Sequence, residues 1–173
     1  MHAVPVTSEV VFAFDLTTLD LPAAAVQLPT GFTVETVAAV PAADRPATYR
    51  LESLWAMERG WVDEPRPWTP DLDLHLVEDY ASLEQGFTLL ARDDSGRVVG
   101  MHGAHRHTDG STSTHYLVVE PDLRGRGLGR ALKGWQLRIA QQLGWPALVC
   151  DVPADAAAAG VRAMNAALGG RRV

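Results

Sequence analysis

Two hydrophobic periods alternate along this chain. A repeat of two, or a short unbroken apolar run, predicts strands at residues 10–14, 32–37, 87–91, 98–107, 113–119 and 147–152. A repeat of three and four predicts helices at 44–59, 70–85, 127–143 and 154–168. The inward face of the first helix reads Ala47, Leu51, Leu54 and Trp55, that of the second Leu72, Leu76, Tyr80 and Leu83, and that of the third Leu128, Leu132, Trp135, Ile139 and Leu143. Thr69 and Pro70 supply an N-cap and a first helical position, and Gly86 and the Gly169-Gly170 pair end helices.

The turn residues connect these elements. Asp93-Asp94-Ser95-Gly96 and Thr108-Asp109-Gly110-Ser111 join three successive strands into an antiparallel meander. A helix then crosses between the strands at 113–119 and 147–152, so those two run parallel. The order β-α-α-β-β-β-α-β-α describes one α/β (α+β) domain over residues 32–173. Residues 1–31 form an N-terminal arm or an extra edge strand. Only three residues follow Gly170, so the last sheet strand has an open flank, to be covered by residues 10–16 or by a partner's strand unless the chain is a truncated piece.

Composition narrows the function classes. At 173 residues and 47% apolar, the chain supports one full core. A net charge of −6 argues against a general nucleic-acid footprint. The apolar run at 10–14 is too short for a membrane span and lacks a basic leader. The single cysteine, Cys150, rules out an internal disulfide framework and fits a reducing, cytoplasmic setting. It lies on a buried strand and reads as a small core residue.

Against this acidic background one basic stretch stands out. Leu117, Val118 and Val119 end a strand, Pro121 stops ladder pairing, and Arg124, Gly125, Arg126, Gly127, Leu128, Gly129 and Arg130 lead into the third helix. Glycines at alternate positions let a ligand approach the backbone without meeting a Cβ. The free amides and partial positive charge of the helix start, reinforced by three arginines, suit a diphosphate. The Gly-x-Gly-x-Gly spacing matches neither the P-loop nor the dinucleotide fingerprint.

The spacing Arg124-x-x-Gly127-x-Gly129, entered from a strand ending Val119-x-Pro121, resembles the acetyl-CoA-binding motif of the GCN5-related N-acetyltransferases (GNAT). The resemblance is tight over residues 115–135 and topological over about 32–170. It implies a three-layer fold with helices on both faces of a mixed sheet: an antiparallel meander, then a splayed parallel strand pair. The family's usual further strand after the last helix is missing. It also implies acetyl-CoA as acyl donor, with the backbone of Leu117, Val118 and Val119 holding the pantetheine arm. The backbone N–H groups of residues 125–130 would hold the pyrophosphate.

Direct attack of an amine on the thioester needs an oriented donor, a base and an acid. His115, four residues before Val119 on the motif strand, is the candidate base, as in some family members. A two-residue turn at Asp109-Gly110 would group it with His102, and a three- or five-residue loop with His105 and His107. Four histidines near one hairpin invite a zinc reading, but without cysteine or acidic ligands at closed spacing no metal is expected. The relatives' acidic tyrosine corresponds to Asn165, whose amide cannot protonate a thiolate but can hydrogen-bond sulfur. Ala158 stands where their helix carries an asparagine.

Glu58, Asp63 and Glu64 lie where the family's first helices line the acceptor site, with Glu58 as a second candidate base acting through water. Trp61 and Trp68 are candidate walls for an acceptor pocket. The expectation is therefore an acetyltransferase acting on an amine of a small molecule or protein, without nucleic-acid or membrane partners. A homodimer or exchanged strand is one cover for the open sheet edge. The alternative is a CoA-binding sensor or assembly module that has lost catalysis, motivated by Asn165, Ala158 and the short C-terminus.

Overall fold

A computed structural model describes residues 8–59, 62, 64 and 85–173. Its strands are β1 (Glu9–Asp15), β2 (Phe32–Val37), β3 (Gln85–Asp93), β4 (Val98–Arg106), β5 (Thr112–Val119), β6 (Ala147–Pro153) and β7 (Arg171–Arg172). Its α-helices are α1 (Arg45–Glu58), α2 (Leu128–Gln142) and α3 (Ala159–Ala167). The helix expected at 70–85 lies outside the described residues.

The strands form one mixed sheet in the order β2-β3-β4-β5-β6-β1-β7. The β3-β4-β5 meander is antiparallel throughout, and β5 meets β6 in parallel. Two cores flank the sheet. On one face Leu51 of α1, with half-buried Ala47, Leu54 and Trp55, packs on Leu90, Met101, Tyr116 and Val118. On the other, Leu128, Leu132 and Leu137 of α2 pack on Phe14, Leu89, Leu148 and Cys150, joined by Met164 and Leu168 at α3. Strand alternation produces this division: Val118 serves one core, while Leu117 and Val119 serve the other.

The open flank beside β6 is filled from within the chain. β1 runs antiparallel along the whole of β6, from Glu9 opposite Pro153 to Asp15 opposite Ala147. The chain end does form a strand, correcting the expectation that the last one is missing, but it is short. β7 pairs with β1 at Phe12 and Ala13 and stays off β6. Two other expectations need correction. The last helix starts at Ala159 rather than 154, after a turn in which Asp155 accepts the Ala158 N–H. The buried face of α2 is centred on Leu128, Ala131, Leu132, Gln136, Leu137 and Ala140, while Leu143 is exposed. The rotation arises because α2 is covered twice, by the sheet and by the segment around Ala25, which lies on Gly134.

Polar groups tie α1 to its surroundings. Arg92 of β3 grips Asp44, just before α1, with two nitrogens at 3.0 and 2.7 Å, and also binds Glu35 of β2. The Arg92 guanidinium holds the Asp44 carboxyl below its ordinary value. At the far end of α1, Arg59 lies over the Trp55 ring, pairs with Glu9 at 2.7 Å and donates to the Asp151 carbonyl.

Candidate active site

The β5 strand carries an irregularity that period-two counting misses. His102 pairs with Leu117 but Ala104 pairs with Thr114, so His115 and Tyr116 together oppose Gly103 in a β-bulge. The bulge takes carbonyls out of the regular ladder inside a core, where an unpaired carbonyl is costly. Two buried side chains fill in. Gln136 of α2 donates its Nε2 to the Gly103 carbonyl at 2.6 Å, and His102 donates Nδ1–H to the Tyr116 carbonyl. Since a carbonyl can only accept, the His102 proton resides on Nδ1.

Beyond the bulge, β5 and β6 separate. Their parallel register consists of Ser113 opposite Val149, and from there the strands diverge toward Val119 and Pro153. The gap opens into a cleft of about 330 Å³. Leu117 and Thr114 line it from β5, Cys150 and Val152 from β6, Trp55 and Glu58 from α1, and Ala158 and Asn165 from the α3 end. Lys133 reaches it from α2 and His102 from β4.

At the mouth stands the glycine-rich turn. Gly125 and Gly127 have φ of 76° and 91°, the left-handed region that side chains with a Cβ avoid. Gly127 is also the N-cap of α2, and the first helical bond runs from the Ala131 N–H to its carbonyl at 3.0 Å. The amides of Leu128, Gly129 and Arg130 therefore have no helical acceptor. Arg126 and Arg130 are exposed and have no ion-pair partner among the described residues. Arg124 differs: its Nε binds the Val119 carbonyl at 2.9 Å and its guanidinium pairs with Glu58 at 2.5 Å. A second pair, Arg50 with Glu120, also ties α1 to the motif, so helix and turn are clamped together.

Gly129 is informative because the fold itself does not demand it. A Cβ there would come no closer than 3.9 Å, to Val119, and its φ is not left-handed. Gly129→Ala is expected to stabilise the free protein by roughly 0.5–1 kcal/mol through helix propensity. If the turn cradles a phosphate, the same methyl lowers acetyl-CoA affinity by about tenfold or more, which calorimetric titration would register beside a higher melting temperature.

The other anticipated residues distribute as follows. Val118 is buried toward α1, Leu128 is buried under the turn, and Glu58 sits at the cleft, engaged with Arg124. His115 lies in the bulge, so counting by twos from Val119 does not assign its face. The turn is closed by the His107 N–H on the Ser111 carbonyl, and this shifted register sets His105 opposite Ser113. Glu64 is exposed and outside the cleft lining, and Trp61, Asp63 and Trp68 lie outside the described residues. Among the described residues no group of His, Cys, Asp and Glu is arranged to hold a metal ion, and no helix is long and apolar enough to cross a membrane.

Sequence reading missed Lys133, Gln136 and Thr114. For the first two the usable signal was helical spacing: Lys133 lies four residues after Gly129, and Gln136 three further on, so Gly129, Lys133 and Gln136 share the α2 face that borders the turn and the gap.

Comparison with known proteins agrees with this geometry. The model of the acetyltransferase (GNAT) family matches residues 51–164. A mycothiol acetyltransferase from Saccharopolyspora erythraea is 34% identical over 144 residues, covering 82% of this chain and 45% of that protein. One from Actinosynnema mirum is 33% identical over 92 residues, covering 53% and 30%. The chain thus spans less than half the length of these curated relatives. Among solved structures, a tandem GNAT protein from the clavulanic acid biosynthesis pathway superposes with a TM-score of 0.72 at 19% identity, over 99% of this chain and 52% of that one. An aminoglycoside antibiotic 6'-N-acetyltransferase from Acinetobacter baumannii gives 0.57 at 18% identity, over 80% and 90%. With a family match spanning α1 to α3 and a strand gap opening at a glycine-rich helix start, this chain belongs to the GNAT acetyltransferase family.

Proposed function

We propose that this chain transfers an acetyl group from acetyl-CoA to an amine. The observation carrying this reading is the single-point parallel pairing of Ser113 with Val149, beyond which β5 and β6 part beside the α2 N-terminus. Strands that separate leave backbone groups without partners, and a pantetheine arm carries amides spaced to use them. Leu117, Val118 and Val119 supply that edge, with the Val119 carbonyl already committed to Arg124. The turn from Gly125 to Arg130 holds the pyrophosphate, with the exposed Arg126 and Arg130 as its cations.

The acceptor enters from the α1 side, past Trp55 and Glu58, near His102. Asp63, Glu64 and Trp61, which follow α1 in sequence, remain candidates for contact with the acceptor on sequence grounds alone. In this scheme Glu58, held beside Arg124 at the cleft, attracts a cationic amine. His115 is the base, and Asn165 contacts the sulfur. His115→Ala should lower kcat by about 10²-fold or more and remove the acidic limb of the pH profile, while acetyl-CoA affinity stays near normal. A variant with full activity across pH would exclude this histidine.

The names of the two curated relatives make mycothiol-related amines the first acceptors to screen, beside polyamines and amino sugars. The deciding experiment combines a thermal shift with acetyl-CoA, against NAD and ATP as controls, and release of free CoA thiol with each amine. A shift confined to CoA compounds together with amine-dependent thiol release supports the enzyme. A shift without turnover on any amine supports the second reading, a CoA-binding module, which Asn165 in place of an acid favours.

A further inference from the structure

The most unusual group in the cleft is Lys133. Its side chain is 1% exposed, yet it lines the cleft. Its ammonium donates to Thr114 Oγ1 at 2.9 Å and to Gln136 Oε1 at 2.7 Å, and lies 4.9 Å from the centre of the Phe14 ring. No carboxylate pairs with it among the described residues. The groups facing it are Phe14 from β1, Thr114 from β5, Gln136 from its own helix and Cys150 from β6, with Asn165 of α3 and His102 of β4 on the same cleft. Glu58, Asp151 and Asp155 supply the cleft's carboxylates from its rim, opposed there by Arg59 and Arg124.

A buried cation held by neutral acceptors is costly in the free protein and stabilises any anion that forms beside it. Two donors line the same cleft: Lys133, and Asn165, whose Nδ2 lies 3.7 Å from Cys150 Sγ on the cleft wall. Asn165 Oδ1, fully buried, has no hydrogen-bond partner among the described residues. The closed end of the strand gap is thus lined by an ammonium and a carboxamide, with no counter-anion among the described residues.

We propose that Lys133 is the acid of this site, stabilising and then protonating the thiolate that leaves when an amine attacks the acyl-CoA thioester at the closed end of the β5–β6 gap. This rests on the acyl-CoA reading above. In the step, the amine nitrogen's lone pair forms the N–C bond and the C–S pair departs to sulfur. Lys133 gives sulfur a proton and regains one from those the amine nitrogen loses. Burial lowers the Lys133 pKa from 10.5 to about 8, close to that of an alkyl thiol, so the transfer runs nearly level. The sign follows: Lys133 is charged below about pH 8, and the acid is lost as pH rises through that value. It supplies the proton that an amide at position 165 cannot.

The test is the ionisation of bound CoA, followed by the ultraviolet absorbance of its thiolate across pH. It is run in a Cys150→Ala background so that the protein's own thiol is silent. CoA bound beside Lys133 is expected to ionise at least about one pH unit below free CoA, and Lys133→Met should abolish that shift while CoA still binds. Lys133→Met in the otherwise unaltered chain should lower kcat by about 10²-fold and remove the alkaline limb of its pH profile, with the KM for acetyl-CoA nearly unchanged. Bound CoA that titrates like free CoA, or a shift that survives in the Met variant, overturns the proposal and leaves the acetyl-CoA reading standing. Failure of CoA to bind the unaltered chain overturns both.

Discussion

Gly127→Val is expected to abolish measurable acetyl-CoA binding, a loss of at least about 100-fold, and to lower stability as well. Both effects come from one backbone conformation. At φ of 91° the residue caps α2 and turns the chain so that the following amides face outward. A β-branched side chain at such a φ costs roughly 1–3 kcal/mol. Relaxing that strain rotates the amides of Leu128, Gly129 and Arg130 away from a bound phosphate, and the side chain itself stands in the cradle. The protein offers little resistance of its own, since the nearest atom to a Cβ here is Pro29 Cγ at 4.0 Å. Gly127→Asn separates the two causes, because asparagine tolerates the left-handed region. It should keep most of the stability and still lose most of the affinity in calorimetric titration. Wild-type affinity in the Val variant would refute the phosphate-turn assignment.

Gly134→Ala should give the largest loss of stability, although alanine is the better helix former. An added Cβ would stand 2.0 Å from the carbonyl oxygen of Ala25 and 2.6 Å from its carbon. Backbone on both sides leaves no flexible side chain to yield. The segment around Ala25 must lift from α2, breaking the contacts by which Gln141 Nε2 binds the Leu16 and Leu19 carbonyls at 3.0 and 2.8 Å. Overpacking of this kind costs about 3 kcal/mol against a propensity gain near 1 kcal/mol. A net loss of about 2 kcal/mol or more corresponds to a fall of roughly 4–8 °C in melting temperature for a domain of this size. Acetyl-CoA affinity of the folded protein should change little, because Ala25 does not line the cleft. A Gly134→Ala variant that melts at the wild-type temperature would show that this segment does not rest on α2.

These two glycines illustrate what local pattern conveys. Gly127 announces itself through its neighbours, since strand, proline, arginines and an apolar helical stripe surround it. Gly134 sits mid-helix with no local signal, and its reason lies more than 100 residues away at Ala25. Lys133 shows only its helical spacing from Gly129, a weak signal because a lysine within an amphipathic helix ordinarily belongs to the solvent face. Here the α2 stripe is turned so that Lys133 and Gln136 face the sheet, where the β5 bulge and the strand gap demand polar partners. The bulge likewise cannot be read from β5 alone: the residues 113–119 show unbroken strand character, and the extra residue emerges only when β4 is laid beside them.

The sequence by itself determined the meander, the parallel crossover and the glycine-rich turn, because hydrophobic period and turn residues are local signals read one element at a time. It also carried the family, through the Arg124 to Gly129 spacing. Tertiary structure alone decided that β1 lies between β6 and β7, that a bulge interrupts β5 at His115 and Tyr116, that Arg124 is spent on Glu58 and Val119, and that Lys133 is buried with neutral acceptors, Thr114 and Gln136. Each of these is set by which distant groups compete for one buried polar atom or one uncovered strand edge. That competition is resolved only once the layers pack.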